Sequence, residues 1–125
     1  MEEVLLWLEE NDASLNAPEV RSMESRVRQL LSSDLARQWA AAEVAEHLSV
    51  SGATLRRHLA ADGLSLRQLL VDVRMSHALT MLQCTDFSIV EIALGVGYDS
   101  ASRFAVRFRK RFGCSPSNIR TAKRA

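Results

Sequence analysis

Two stretches of seven residues, Val44-Ala45-Glu46-His47-Leu48-Ser49-Val50 and Ile92-Ala93-Leu94-Gly95-Val96-Gly97-Tyr98, decide the fold of this chain. They match at a fixed offset of 48 residues. Each reads as the end of one helix, a tight turn and the entry to a second helix. A small residue (Ala45, Ala93) is needed where two helices cross closely. A glycine or small polar residue (Ser49, Gly97) suits a turn in which left-handed backbone is easiest for glycine. The apolar residue after the turn (Val50, Tyr98) is expected to plug the joint between the helices. One such match is weak, because helical hairpins are common. Two in register on one chain are hard to obtain by chance.

Outward from the repeat, the periodicity predicts helices and no strands. Residues 1–10 read as a short amphipathic helix with acidic flanks, and Asn11 to Pro18 as a turn-prone linker. A helix is expected from about Glu19 to Leu31, on the spacing of Val20, Met23, Val27, Leu30 and Leu31. The next is expected from Trp39 to Leu48, with Trp39 a core residue at its start and Val44, Ala45 and Leu48 as its buried stripe. Ser51 is placed to cap a helix running to Ala61 with Leu55 and Leu59 inward, and Asp62-Gly63 stops it. The longest helix, Ser65 to Cys84, carries two apolar stripes, Leu66-Leu69-Val73 and Val71-Met75-Ala78-Leu82, so it is expected to pack on more than one side. Ser88 opens a helix with Ile89, Ile92, Ala93 and Val96 inward. Ser100 caps another that ends at Phe112-Gly113, its Phe104, Phe108 and Phe112 repeating every fourth residue on one face. A short helix or tail follows Pro116. The fold class is all-α.

Charge is unevenly spread. The net charge of +1 on 125 residues conceals six acids and no Lys or Arg in residues 1–20. The remaining residues hold all sixteen basic groups against nine acids, and eight bases with no acid follow from Arg103 onward. A basic stretch of this kind is an electrostatic footprint for a polyanion when it lies along a helix face, and otherwise only a solvated surface. The longest apolar runs are a few residues, which excludes a membrane span, and the start lacks a secretory signal. Cys84 and Cys114 are lone thiols without metal spacing, and a reduced, cytoplasmic setting is the simplest expectation.

Residues from about Met23 to Arg120 resemble the DNA-binding domain of the AraC/XylS family of bacterial transcription regulators. The resemblance rests on Ser88-Ile89-x-x-Ile92-Ala93-x-x-x-Gly97-Tyr98-x-Ser100-x-x-x-Phe104-x-x-x-Phe108-Arg109-Lys110-Arg111-Phe112-Gly113-x-Ser115-Pro116, and on Arg74-x-x-x-Ala78-x-x-x-Leu82 in the long helix. It implies a seven-helix double helix-turn-helix: two homeodomain-like subdomains joined by a long linker helix. The domain is expected over 23–120, with one helix-turn-helix at 42–63 and the other at 89–112. Its two recognition helices would enter successive major grooves about 34 Å apart. Residues 1–18 read as a leading helix and linker, the remnant of an amino-terminal sensing or dimerising domain.

The helical register then separates readers from packers. In the first recognition helix the resemblance implies that Ala53, Arg56 and Arg57 face the bases, with Arg56 the best single reader, since a guanidinium binds guanine O6 and N7 together. A contact with phosphate, or a solvated side chain with no contact, is the competing role for Arg56. In the second it places Ser102, Arg103 and Val106 near base edges and Arg107 beside the backbone. Many relatives carry an aromatic at Arg103, so whether this arginine reads bases or grips phosphate stays open. Arg109, Lys110 and Arg111 are expected to add sequence-neutral affinity. Helix starts at Ser51, Ser65, Ser88 and Ser100 are further phosphate candidates through their caps and free amides.

His47, His58 and His77 show no metal-ligand spacing, and no nucleophile-base pair or glycine-rich phosphate loop can be located, so neither a metal, a cofactor nor an enzymatic activity is expected. The partners implied are double-stranded DNA, RNA polymerase and a second copy joined through an amino-terminal domain. The alternative function is a helical protein-interaction or dimerisation module using the acidic leading segment.

Overall fold

The structure, a computed structural model, describes residues 22–124, which form seven helices and no strand. The expected leading helix and linker at 1–18 lie outside the described residues. In chain order the helices are α1 (Met23–Ser32), α2 (Ala41–His47), α3 (Gly52–Ala61), α4 (Leu66–Cys84), α5 (Ile89–Gly95), α6 (Ala101–Phe112) and α7 (Pro116–Arg124). The serines expected as caps do cap. The hydroxyls of Ser51, Ser65, Ser88 and Ser100 accept from the amides of Thr54, Gln68, Glu91 and Arg103, three residues on. This satisfies one of the orphan donors at each helix start.

The repeat is reproduced bond for bond. Ser49 N–H donates to Glu46 O at 3.1 Å and Val50 N–H to Ala45 O at 3.0 Å. Forty-eight residues later Gly97 N–H donates to Leu94 O at 3.1 Å and Tyr98 N–H to Ala93 O at 2.9 Å. This is the Schellman pattern, in which a left-handed residue after the helix lets two amides recover carbonyls of the last turn. Accordingly φ is +59° at Ser49 and +103° at Gly97. Val50 and Tyr98, each half-buried, pack against the core below their turn as expected.

Helix α2 is shorter than expected. Trp39 lies before it, because Ala40 is extended (φ −95°, ψ 147°) and offers no side-chain cap that would let the helix start earlier. The Trp39 indole N–H donates to Asp34 O at 2.9 Å, and the Arg37 guanidinium lies 5.0 Å from the ring centroid. Trp39 is therefore a half-buried side chain at the edge of the first core, and not a core residue inside a helix.

There are two cores. Val27, Leu31, Val44, Ala45, Leu55, Leu59 and Leu69 form the first, beneath α1–α3. Val73, Met75, Ala78, Leu82, Ile92, Ala93, Val96, Phe104 and Phe108 form the second, beneath α5–α7. Helix α4 contributes to both. Its stripes divide along its length, so that Leu66 and Leu69 serve the first core while Val73 joins the second, and not the Leu66-Leu69 group as the spacing suggested. Leu35, from the connection after α1, crosses over and is buried in the second core. The segment after Pro116 is a helix. Arg120 Nε donates to Leu82 O at 3.2 Å and Lys123 Nζ to Thr85 O at 2.6 Å, tying α7 to the end of α4.

Candidate nucleic-acid interface

Helix α3 turns Leu55 and Leu59 into the first core, and this fixes what its other face presents. Ala53, Arg56 and Arg57 are all exposed. Arg56 folds back along the first turn: a Cβ placed on Gly52 would lie 3.5 Å from Arg56 Nη1. Arg57 Nη2 donates to Thr54 Oγ1 at 3.4 Å, a long contact that leaves its charge free. No acid pairs with either arginine among the described residues.

Helix α6 is built in the same way. Phe104 and Phe108 are fully buried, their rings 5.6 Å apart, and Phe112 is half-buried with its ring 4.7 Å from that of Phe108. Ser102, Arg103 and Val106 are exposed on the opposite side. Val106 is 71% exposed, an apolar side chain held in water in the middle of a basic face. Arg103 Nε lies 3.6 Å from Asp99 Oδ1, but both side chains are some three-quarters exposed, so the pair contributes little and is easily exchanged for another anion. Arg107 is half-buried, whereas Arg109 and Lys110 are exposed with no ion-pair partner among the described residues. A groove of about 530 Å³ runs beside this helix, lined by Arg103, Val106, Arg107 and Lys110 and, from the first half of the chain, by Gln38. Nothing in the sequence pattern placed Gln38 there, because it sits in an irregular connection 65 residues before Arg103.

Several candidates already have partners within the protein. Arg111 Nε is 2.9 Å from Asp72 Oδ1 and its guanidinium lies 4.8 Å from the Phe112 ring centroid. Ser51 both accepts from Thr54 N and donates to Thr54 Oγ1, so its one hydroxyl proton is already committed and not offered to a phosphate. Ser65 and Ser88 head capping boxes. Their own amides donate to Gln68 Oε1 at 2.9 Å and Glu91 Oε1 at 2.8 Å. The Glu91 carboxylate thus occupies the start of α5, where an anion was expected to bind. The Ser100 hydroxyl accepts from Arg103 N at 3.1 Å, which leaves its proton free to donate.

Asp72 is the residue that sequence reasoning missed. It accepts from Arg28 Nη1 of α1 at 2.7 Å and from Arg111 Nε of α6 at 2.9 Å, while Arg28 also pairs with Glu24 at 2.9 Å. The Arg28 hydrogen bond is the largest influence holding the Asp72 carboxyl below its ordinary range, against the opposing effect of burial, and Arg111 adds to it. Arg28 is in turn raised, first by Asp72. A carboxyl whose pKa is lowered by folding stabilises the fold above its unfolded value of about 3.9, and that contribution is lost as pH falls through the folded value. Asp72→Asn is therefore expected to flatten the fall in melting temperature below about pH 4 relative to the parent chain. A melting series from pH 7 to pH 2 checks this, and parallel curves for the two proteins would refute it.

Arg74, which the sequence marks only as part of the long-helix signature, is a charged side chain only 8% exposed. Its Nε donates to Leu35 O at 2.9 Å and its Nη2 to Arg37 O at 3.0 Å, and the guanidinium faces the Tyr98 ring at 5.8 Å. Burial draws its pKa down. Among the described residues no group of three His, Cys, Asp or Glu is placed to hold a metal ion, and no helix is long and apolar enough to cross a membrane. Cys84 is exposed and Cys114 half-buried, both as free thiols.

Two helix-turn-helix units, each presenting the exposed face of its second helix beside basic side chains, define a DNA-binding domain of the double helix-turn-helix class. Residues 44–122, more than half of the chain, match the family described as "Helix-turn-helix domain". The chain is 35% identical over 98 residues to the urease operon transcriptional activator of Escherichia coli, a match covering 78% of this chain and 33% of that protein. A DNA-binding transcriptional dual regulator from Escherichia coli K-12 superposes with a TM-score of 0.82 at 31% identity, over 87% of this chain and 97% of that one. For the fold alone, an AraC-type DNA-binding domain protein from Chromobacterium violaceum gives a TM-score of 0.75 at 24% identity, over 81% and 91% of the two chains. The chain belongs to the AraC/XylS family of helix-turn-helix transcription regulators. It spans about a third of the length of the curated relatives it matches.

Proposed function

We propose that this domain reads double-stranded DNA through two successive major grooves, with α3 and α6 as unequal readers. The observation that carries the proposal is the pair of exposed faces, Ala53-Arg56-Arg57 and Ser102-Arg103-Val106, each opposite a fully buried apolar pair on its own helix. A guanidinium reads guanine in the major groove bidentately, and apolar groups such as Ala53 and Val106 suit a thymine methyl. Arg107, Arg109 and Lys110 supply the phosphate contacts. Arg111 and Ser51 are assigned a lesser part, since both have internal partners. The relatives are named as transcription regulators, among them an activator, so transcription control with RNA polymerase as partner is the activity inferred for the protein that carries this domain.

Selection of bound duplexes from a random pool, followed by titration over a range of salt, tests the reading. Affinity is expected to fall with a log–log slope of about −0.9 for each phosphate neutralised. Absence of both salt dependence and preference over random DNA would sink the proposal. Arg56→Ala is expected to cost about 1–3 kcal/mol and to relax selection at one base position. Equal weakening on every sequence would instead make Arg56 a phosphate contact. Sedimentation of the chain with and without residues 1–18 addresses the separate expectation of self-association, and unchanged monomeric behaviour would count against it.

A further inference from the structure

We propose that Asp72 and Arg74 are positioning residues that set the separation and relative orientation of the two reading helices, and so the spacing between the two DNA segments the protein accepts. This rests on the reading that both α3 and α6 enter DNA. The two residues stand two apart on α4, hence about 200° apart around its axis, and grip the two halves of the molecule from opposite sides of that helix. On one side the Asp72 carboxylate takes Arg28 of α1 with one oxygen and Arg111 of α6 with the other, at 2.7 and 2.9 Å. On the other, the Arg74 guanidinium donates to Leu35 O and Arg37 O in the connection before α2, and its flat face lies against the turn that precedes α6. That turn approaches so closely that a Cβ on Gly97 would be 2.8 Å from Arg74 Cζ.

Each clasp therefore touches the first half, the shared helix and the second half at once. Neither Asp72 nor Arg74 lies on a reading face; Arg74, and Arg28 on the far side of Asp72, touch no residue assigned to DNA, so their effect on DNA acts through the angle between the readers. The lever is long. With readers about 34 Å apart, a 10° change of tilt moves one of them by about 6 Å, nearly two base-pair steps. Sequence reading at each half is untouched by such a tilt, whereas tolerance of the spacing is directly altered.

The experiment uses the duplex selected by the parent chain, a single half-site duplex, and a series with one or two base pairs inserted or deleted between the two contacted segments. The parent is expected to lose about tenfold in affinity at each unit change of spacing, comparable to a mismatched base pair. Arg28→Met and Arg74→Met are expected to bind the half-site duplex as the parent does, and in these two and in Asp72→Asn the ratio between selected and altered spacing falls severalfold, whatever Asp72→Asn gains on a half-site from the released Arg111. Circular dichroism and melting establish that each variant is folded. If Arg74→Met does not fold, Asp72→Asn and Arg28→Met decide the matter. Folded variants that weaken on every spacing by the same factor would overturn the positioning role while leaving the two-reader reading intact. A parent that ignores spacing and binds one half-site as tightly as two would instead remove that reading, and this proposal with it.

Discussion

Gly97→Ala is expected to cost at least about 3 kcal/mol of stability and to lower the melting temperature by more than about 12 °C, the scale for a domain of roughly 100 residues. Two effects add. The backbone at φ +103° disfavours any side chain, and the new Cβ meets Arg74 Cζ and Nη2 at 2.8 Å and Nε at 2.9 Å. The guanidinium has no room to yield, because moving it breaks the bonds to Leu35 O and Arg37 O and leaves a buried cation without acceptors. The matching turn serves as the control. Ser49 holds φ +59° in the equivalent place, so Ser49→Gly relieves left-handed strain and should gain up to about 1 kcal/mol, less the entropy that glycine loses on folding. Thermal melts of the two variants read both signs. A Gly97→Ala protein melting within about 3 °C of the parent would show that Arg74 is not the rigid wall that its contacts describe.

Phe108→Ala is expected to be the most damaging core change, at about 3–5 kcal/mol. The ring is fully buried and lies between Phe104 and Phe112, with centroid distances of 5.6 and 4.7 Å, so its removal empties the centre of the row. The same row aims α6, and the loss should also reduce DNA binding at temperatures where the variant remains folded. Phe112→Ala, at a half-buried position, should cost clearly less. Urea titration distinguishes them: the midpoint should fall further for Phe108→Ala, with the slope unchanged for both. Equal midpoints would mean that the row is loosely packed.

What the sequence made legible was what neighbouring residues determine. The caps at Ser51, Ser65, Ser88 and Ser100 bond three residues ahead, and the Ser49 and Gly97 turns close within six residues, so each leaves a local signature. Burial on one side of α3 and α6 follows from helical spacing, and so the exposed face of each helix could be named in advance. Trp39 was misplaced because the start of α2 has no capping side chain to mark it. Asp72 was invisible for a different reason. Its partners are 44 and 39 residues away, on two other helices, and no periodicity connects them. The same distance hid the internal pairing of Arg111, which one-dimensional spacing could only count among the free bases of its helix.

Leu35 has one more consequence, for how such proteins change over generations. A leucine contributed by the first half is buried with Phe104 and Phe108 of the second, and α4 feeds both interiors. The halves are therefore not independent cassettes, although the same turn recurs in both. A recombination event that joined this first half to a second half of different interior shape would strand Leu35 opposite a cavity not fitted to it. Exchanging residues on the exposed faces of α3 and α6 leaves both interiors intact, which shuffling whole halves does not.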